Sequence, residues 1–183
     1  ARLAATVRPS DAVYDQFLAL CDSAGPERCA LAGGRHTAAE RFDRLSARLK
    51  RAPIPAPGAQ PPLSAPQKLG YADLLISQFH AIRAPRTWPT NAANLAAALR
   101  GDGSTLESAA TASYTPGAWA LIAPSTAIQC ADASAHRSLR AWPSVIARFA
   151  RISRLQGALS GWWQWAPCAA WPVAGEDTYR GPW

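Results

Sequence analysis

Thr37-Ala38-Ala39-Glu40-Arg41-Phe42-Asp43-Arg44-Leu45-Ser46-Ala47-Arg48-Leu49-Lys50 carries both the start and the face of a helix. Thr37 followed three residues on by Glu40 is a capping box, in which hydroxyl and carboxylate each accept a backbone N–H that the first helical turn leaves without a partner. Phe42, Leu45 and Leu49 then recur on one face, which predicts a helix over about residues 38–50.

Working toward the N-terminus, Ser10 follows Pro9 and precedes Val13, Phe17, Leu20 and Cys21, which predicts a helix over about 11–21 that stops at Gly25-Pro26. Toward the C-terminus, Pro53, Pro55, Pro57, Pro61, Pro62 and Pro66 exclude a helix or a central strand and predict an extended surface connection. Tyr71, Leu74, Leu75, Phe79 and Ile82 form the next amphipathic stripe, about 67–84, stopped by Pro85. Trp88-Pro89-Thr90 leads into an Ala-rich helix through Leu95 and Leu99 that closes at Gly101, and Ser104-Thr105-Leu106-Glu107 reads as a second capping box. Trp119, Leu121, Ile122, Ala127 and Ile128 around Pro124 predict a partly extended segment between Ala118 and Cys130. Pro143 suits a helix N-terminus, and Val145, Ile146, Phe149, Ile152 and Leu155 continue it as a strong stripe to Gly157. Helix follows helix without a strand signal, so the expected class is all-α with Pro-rich connections. The 183 residues fit one domain, with a helical part over 10–115 and a return segment over 116–183.

Hydrophobic content of 49% with 17% charged residues suits a packed globule. The balance of 19 Lys and Arg against 12 Asp and Glu gives +7, but the basic residues are spread over several segments, and no nucleic-acid-binding motif accompanies them. No apolar run approaches the roughly 20 residues of a membrane span. The chain opens without Met or a signal-peptide pattern, as a trimmed or excised segment would.

Cys21, Cys29, Cys130 and Cys168 include no C-x-x-C pair, and His36, His80 and His136 are scattered, so metal-ligand spacing is missing and no metal or cofactor is expected. Four cysteines allow three connectivities, and four free thiols are a further alternative. A close pair and a distant pair favour Cys21 with Cys29 and Cys130 with Cys168. Disulfides imply an oxidising compartment, hence a secreted or extracytoplasmic protein. The G-x-S-x-G elbow of α/β-hydrolases is absent: Gly157-Ala158-Leu159-Ser160-Gly161 places Ser one position late and predicts a helix-ending turn. H-E-x-x-H, P-loop and G-x-G-x-x-G patterns are also missing.

Ala127-Ile128-Gln129-Cys130-Ala131-Asp132, then Trp165-Ala166-Pro167-Cys168-Ala169-Ala170-Trp171-Pro172, then Tyr179-Arg180-Gly181-Pro182-Trp183 together resemble the secreted tripeptidyl-aminopeptidase family of actinobacterial α/β-hydrolases. Phe17-Leu18-Ala19-Leu20-Cys21 leading to Cys29-Ala30-Leu31 is similar too. The resemblance implies a disulfide-stapled helical cap, normally inserted in the hydrolase core, that gates a serine peptidase site and recognises substrate. The core carrying the Ser-His-Asp triad and a peptide substrate would be its partners, and this segment alone would hold no catalytic residue. A peptidase acting at free N-termini needs an anionic partner for the amine. Asp132 is the first candidate, two residues after Cys130, and Glu176 and Asp177 follow. Trp162, Trp163 and Trp165, in a cluster with Trp171, are expected to line a substrate cleft or a docking face, or else to fill the cap's own core. The alternative reading is a non-catalytic helical module that binds a protein partner through an exposed Trp surface.

Overall fold

The computed structural model describes residues 2–61, 67–132 and 138–172. Among these, eight α-helices and several short helical turns accompany one two-residue strand pair. None of the described helices is long and apolar enough to cross a membrane.

Helix α1 runs Arg2–Ala24, starting earlier than expected and passing through Pro9. Ser10 therefore lies inside the helix, and its hydroxyl donates to Gln156 Oε1 at 2.8 Å instead of capping. The buried face is Tyr14, Phe17, Leu18 and Cys21, while Val13 and Leu20, both expected inside, are exposed. The difference is one of phase: 14, 17, 18 and 21 follow the i, i+3, i+4, i+7 pattern of a single stripe. Helix α2, Ala38–Arg51, forms as expected. Thr37 Oγ1 accepts from the Glu40 N–H at 3.2 Å, and Glu40 Oε2 accepts from the Thr37 N–H at 2.9 Å. That backbone hydrogen bond, with smaller help from His36 and Arg44, holds the Glu40 carboxyl below its ordinary pKa. Asp22, near the end of α1, accepts from the Ala38 N–H at 2.9 Å and so joins the two helices at this corner. Phe42, Leu45 and Leu49 are buried, each contributing about 1.5–3 kcal/mol.

The Pro-rich connection is not wholly a surface segment. Strand β1, Ile54–Pro55, pairs antiparallel with β2, Lys68–Leu69, in the register Ile54↔Leu69. Ile54, Ala56, Ala59 and Leu69 are buried. An edge position tolerates Pro55, which has no N–H to donate. Pro62 and Pro66 lie outside the described residues. Helix α3, Tyr71–Ala81, is shorter than expected because residues 68 and 69 belong to β2. Helix α4, Trp88–Arg100, closes at Gly101, whose φ of +108° takes the left-handed cap that a β-carbon would oppose.

Helix α5, Ser104–Thr111, lacks the expected capping box. Ser104 is its first helical residue, and the capping oxygen comes from Asp102, whose Oδ1 accepts from the Ser104 N–H at 3.0 Å and from its hydroxyl at 2.6 Å. Glu107 is free to turn inward and is buried. Helix α6, Pro116–Asp132, replaces the partly extended segment expected there. Its start is carried by Thr115, whose Oγ1 accepts from the Ala118 N–H at 3.2 Å, with Pro116 in the first turn. Pro124 is accommodated within the helix.

Helix α7, Trp142–Ile152, buries Val145, Ile146 and Phe149 but ends before Leu155, which the expected stripe included. Gly157-Ala158-Leu159-Ser160-Gly161 begins a helix rather than ending one: the single turn α8, Gly157–Leu159, continues as a π-helical turn, Ser160–Trp165. A β-carbon on Gly157 would collide with the Phe149 carbonyl oxygen, so close contact between backbones reserves this position for glycine.

The larger core joins α1 to α5, the strand pair and Leu155; a smaller one gathers Trp142, Val145, Ile146, Phe149 and Ala166. Inside the larger core, Gln78 and Asn91 exchange side-chain hydrogen bonds at 2.8 and 3.1 Å. The Tyr14 hydroxyl donates to Gln78 Oε1 at 3.0 Å, which ties α1, α3 and α4 through one buried network. Burial raises the Tyr14 phenol pKa well above its ordinary value. Cys21 is bonded to Cys29 and Cys130 to Cys168, with Cα separations of 5.3 and 4.8 Å.

Candidate functional site

Helix α3 is buried on more than one side. Leu74, Leu75 and Ile82 join the larger core, while Ile76, Phe79, His80 and Arg83 line a cavity of about 620 Å³. Positions 76, 79, 80 and 83 share one helical face, so a second stripe is superimposed on the core stripe. The opposite wall comes from α5 and the 3₁₀ turn Ala112–Tyr114, the outer wall from Leu121, Ile122 and Gln129 of α6, and the floor from Leu159, Ser160 and Trp163.

Ser113 is buried, and its Oγ shares a 2.7 Å hydrogen bond with His80 Nε2. His80 is itself exposed, but partial desolvation, and then the positive charge of Arg83, lowers its pKa from the ordinary value. The spacing is that of a nucleophile and its base, yet among the described residues no carboxylate is hydrogen-bonded to the other ring nitrogen. The pair supplies polarity to an otherwise apolar wall.

A carboxyl cluster stands behind α5, off the cavity lining. Asp73 Oδ2 accepts from the Gly70 N–H and Oδ1 from the Tyr114 hydroxyl, each at 3.1 Å. Glu107 is buried with Oε2 unpartnered among the described residues, and burial, reinforced by the Asp73 charge, pushes its pKa up to about 7. Burial likewise raises the Tyr114 hydroxyl, with the Asp73 charge and hydrogen bond adding to the effect.

Asp132 is exposed at the C-terminal end of α6 and does not line the cavity. Glu176, Asp177, His136 and the 179–183 motif lie outside the described residues. The Trp cluster divides: Trp162 is 60% exposed, Trp163 lines the cavity with its ring 5.9 Å from Tyr114, and Trp165 packs against the smaller core. Among the described residues no group of three His, Cys, Asp or Glu side chains is placed to hold a metal ion. No family model, curated protein or solved structure matches the chain.

The sequence reading did not single out His80, Arg83 or Ser113 as site residues. The available signal was the i, i+3, i+4, i+7 spacing of Ile76, Phe79, His80 and Arg83. It was hidden because Phe79 also fits the stripe assigned to the core.

Proposed function

We propose that the chain is the cap of a secreted serine hydrolase of the tripeptidyl-aminopeptidase type, which gates the active site and helps to recognise a peptide with a free N-terminus. The residues that resemble that family are the cysteine motifs at 127–132 and 165–172, and Cys130 and Cys168 are bonded. The observation carrying the reading is the outer face of α6. Leu121 is 81% exposed and Ile128 64% exposed. Asp132 follows on the same side, since positions 121, 128 and 132 share one helical face. An apolar stripe ending in a carboxylate, anchored beside a disulfide, suits a surface covered by a hydrolase core and facing an amine. Two disulfides are compatible with an extracellular setting.

The chemistry in this reading is acyl transfer by a Ser-His-Asp triad on the core, because the 183 residues contain no nucleophile elbow. The cap contributes enclosure and positioning. Coexpression with an α/β-hydrolase polypeptide bearing such an elbow, assayed on a tripeptidyl chromogenic substrate, tests it. Turnover by the pair and none by either part alone is expected. Stable pairing without turnover, or no pairing with any such core, overturns the reading and favours the non-catalytic binding module, for which the same exposed Leu121, Ile128 and Trp162 would serve a different protein partner.

A further inference from the structure

The cavity behind α6 has the size and lining of a small-molecule site, since ligand pockets run to about 300–1,000 Å³ and combine apolar walls with a few convergent polar groups. Its walls include Phe79, Leu121, Ile122, Leu159 and Trp163, while its uncharged polar groups include His80, Ser113, Ser160 and Gln129. Among the described residues, Arg83 is the one Lys, Arg, Asp or Glu in the lining. The Arg83 guanidinium lies 4.0 Å from the centroid of the Phe79 ring, which holds it at the mouth without neutralising it. Arg83 makes no ion pair among the described residues. Its field reaches inward, because it contributes to the lowered pKa of His80.

We propose that this cavity binds an apolar molecule ending in a carboxylate, with the hydrocarbon body against Phe79, Ile122 and Trp163 and the carboxylate paired with Arg83. A positive charge in the lining, with no Asp or Glu beside it among the described residues, favours a carboxylate over an amine. The inference goes beyond the cap reading and does not depend on it, since the cavity lies within this chain. Two sources share the chemistry: a free fatty acid, and the C-terminal carboxylate of a peptide with apolar last residues.

Calorimetric titration of the full chain tests it, using decanoate below its micelle concentration beside decylamine and decanol, and N-acetyl-leucyl-leucine beside its amide. Saturable binding is expected for at least one carboxylate, with its amine, alcohol or amide counterpart at least about tenfold weaker, as loss of a charge-assisted contact implies. Decanoate alone would identify the fatty-acid source, the dipeptide acid alone the peptide source, and both the shared chemistry. Arg83→Gln, at an exposed position, should weaken the bound carboxylate by a similar factor while circular dichroism shows the fold intact. Ala109→Phe, which adds a ring to the wall, should abolish binding. Failure of both carboxylates to bind, equal binding of decylamine, or unchanged affinity in Arg83→Gln overturns the proposal.

Discussion

Glu107 is a buried carboxyl with one oxygen unpartnered among the described residues and a second carboxylate, Asp73, nearby. Its protonated form suits that place better than its charged form, which is why its pKa rises from the ordinary 4.5 to about 7. A carboxyl whose folded pKa exceeds its unfolded one binds more protons when folded. Its contribution is therefore complete below pH 4.5 and is lost as pH rises through 7. Glu107→Gln keeps the shape of the protonated acid and removes the titration. Urea unfolding at pH 5 and pH 8 should show the parent losing stability across the interval more steeply than the variant, with the variant ahead at pH 8 by about 1–2 kcal/mol. Parallel pH profiles would show that Glu107 does not titrate in the folded protein as its burial implies.

Between elements, a multiple directional tie joins α1 to the turn after α7. Asp11 Oδ1 accepts from the Ser153 hydroxyl at 2.8 Å and from the Leu155 N–H at 3.3 Å, while Oδ2 accepts from the Arg154 N–H at 3.1 Å. Ser10 adds its bond to Gln156, and Arg154 pairs with Asp15 and, at 3.4 Å, with Asp43. The exposed ion pairs add little. The Asp11 contacts count for more, because removing that carboxylate strands donors of a chain reversal between the two cores. Asp11→Ala should cost about 2–3 kcal/mol in urea unfolding, and Asp11→Asn, which keeps one carbonyl acceptor, less. Losses within about 0.5 kcal/mol of the parent for Asp11→Ala would deny the tie any weight.

At the scale of the molecule, α6 packs mainly against the turns at 112–114 and 166–169 and is bonded through Cys130 to Cys168. The bridge spans 38 positions against eight for Cys21 to Cys29. Chain-entropy estimates put their stabilisation at about 4 and about 2.5 kcal/mol, respectively. The Cys130→Ser, Cys168→Ser double variant should thus unfold at a lower denaturant midpoint than the Cys21→Ser, Cys29→Ser one. In the former, hydrogen exchange should accelerate in α6 and across 160–169 before it does in α2 to α5. Uniform acceleration, or a larger loss from the short bridge, would contradict this division of labour.

Helices with their own start, face and stop were legible in the sequence: α2 by Thr37, Glu40 and its Leu stripe, α4 by Pro89 and Gly101, α7 by Pro143 and its Val-Ile-Phe face. Those signals are local, and the close and distant cysteine pairs were likewise readable from spacing. What escaped depended on competing local caps or on partners far along the chain. Pro124 suggested a break, yet the helix start at Thr115-Pro116 and the turns around it carry α6 through. Ser104 looked like a cap, but Asp102 supplied the oxygen and Glu107 went inward. The candidate site was the least legible part, because His80 and Ser113 lie 33 positions apart and meet only when α3 packs on α5. Periodicity determines which residues share a face of a helix; packing alone decides what that face meets.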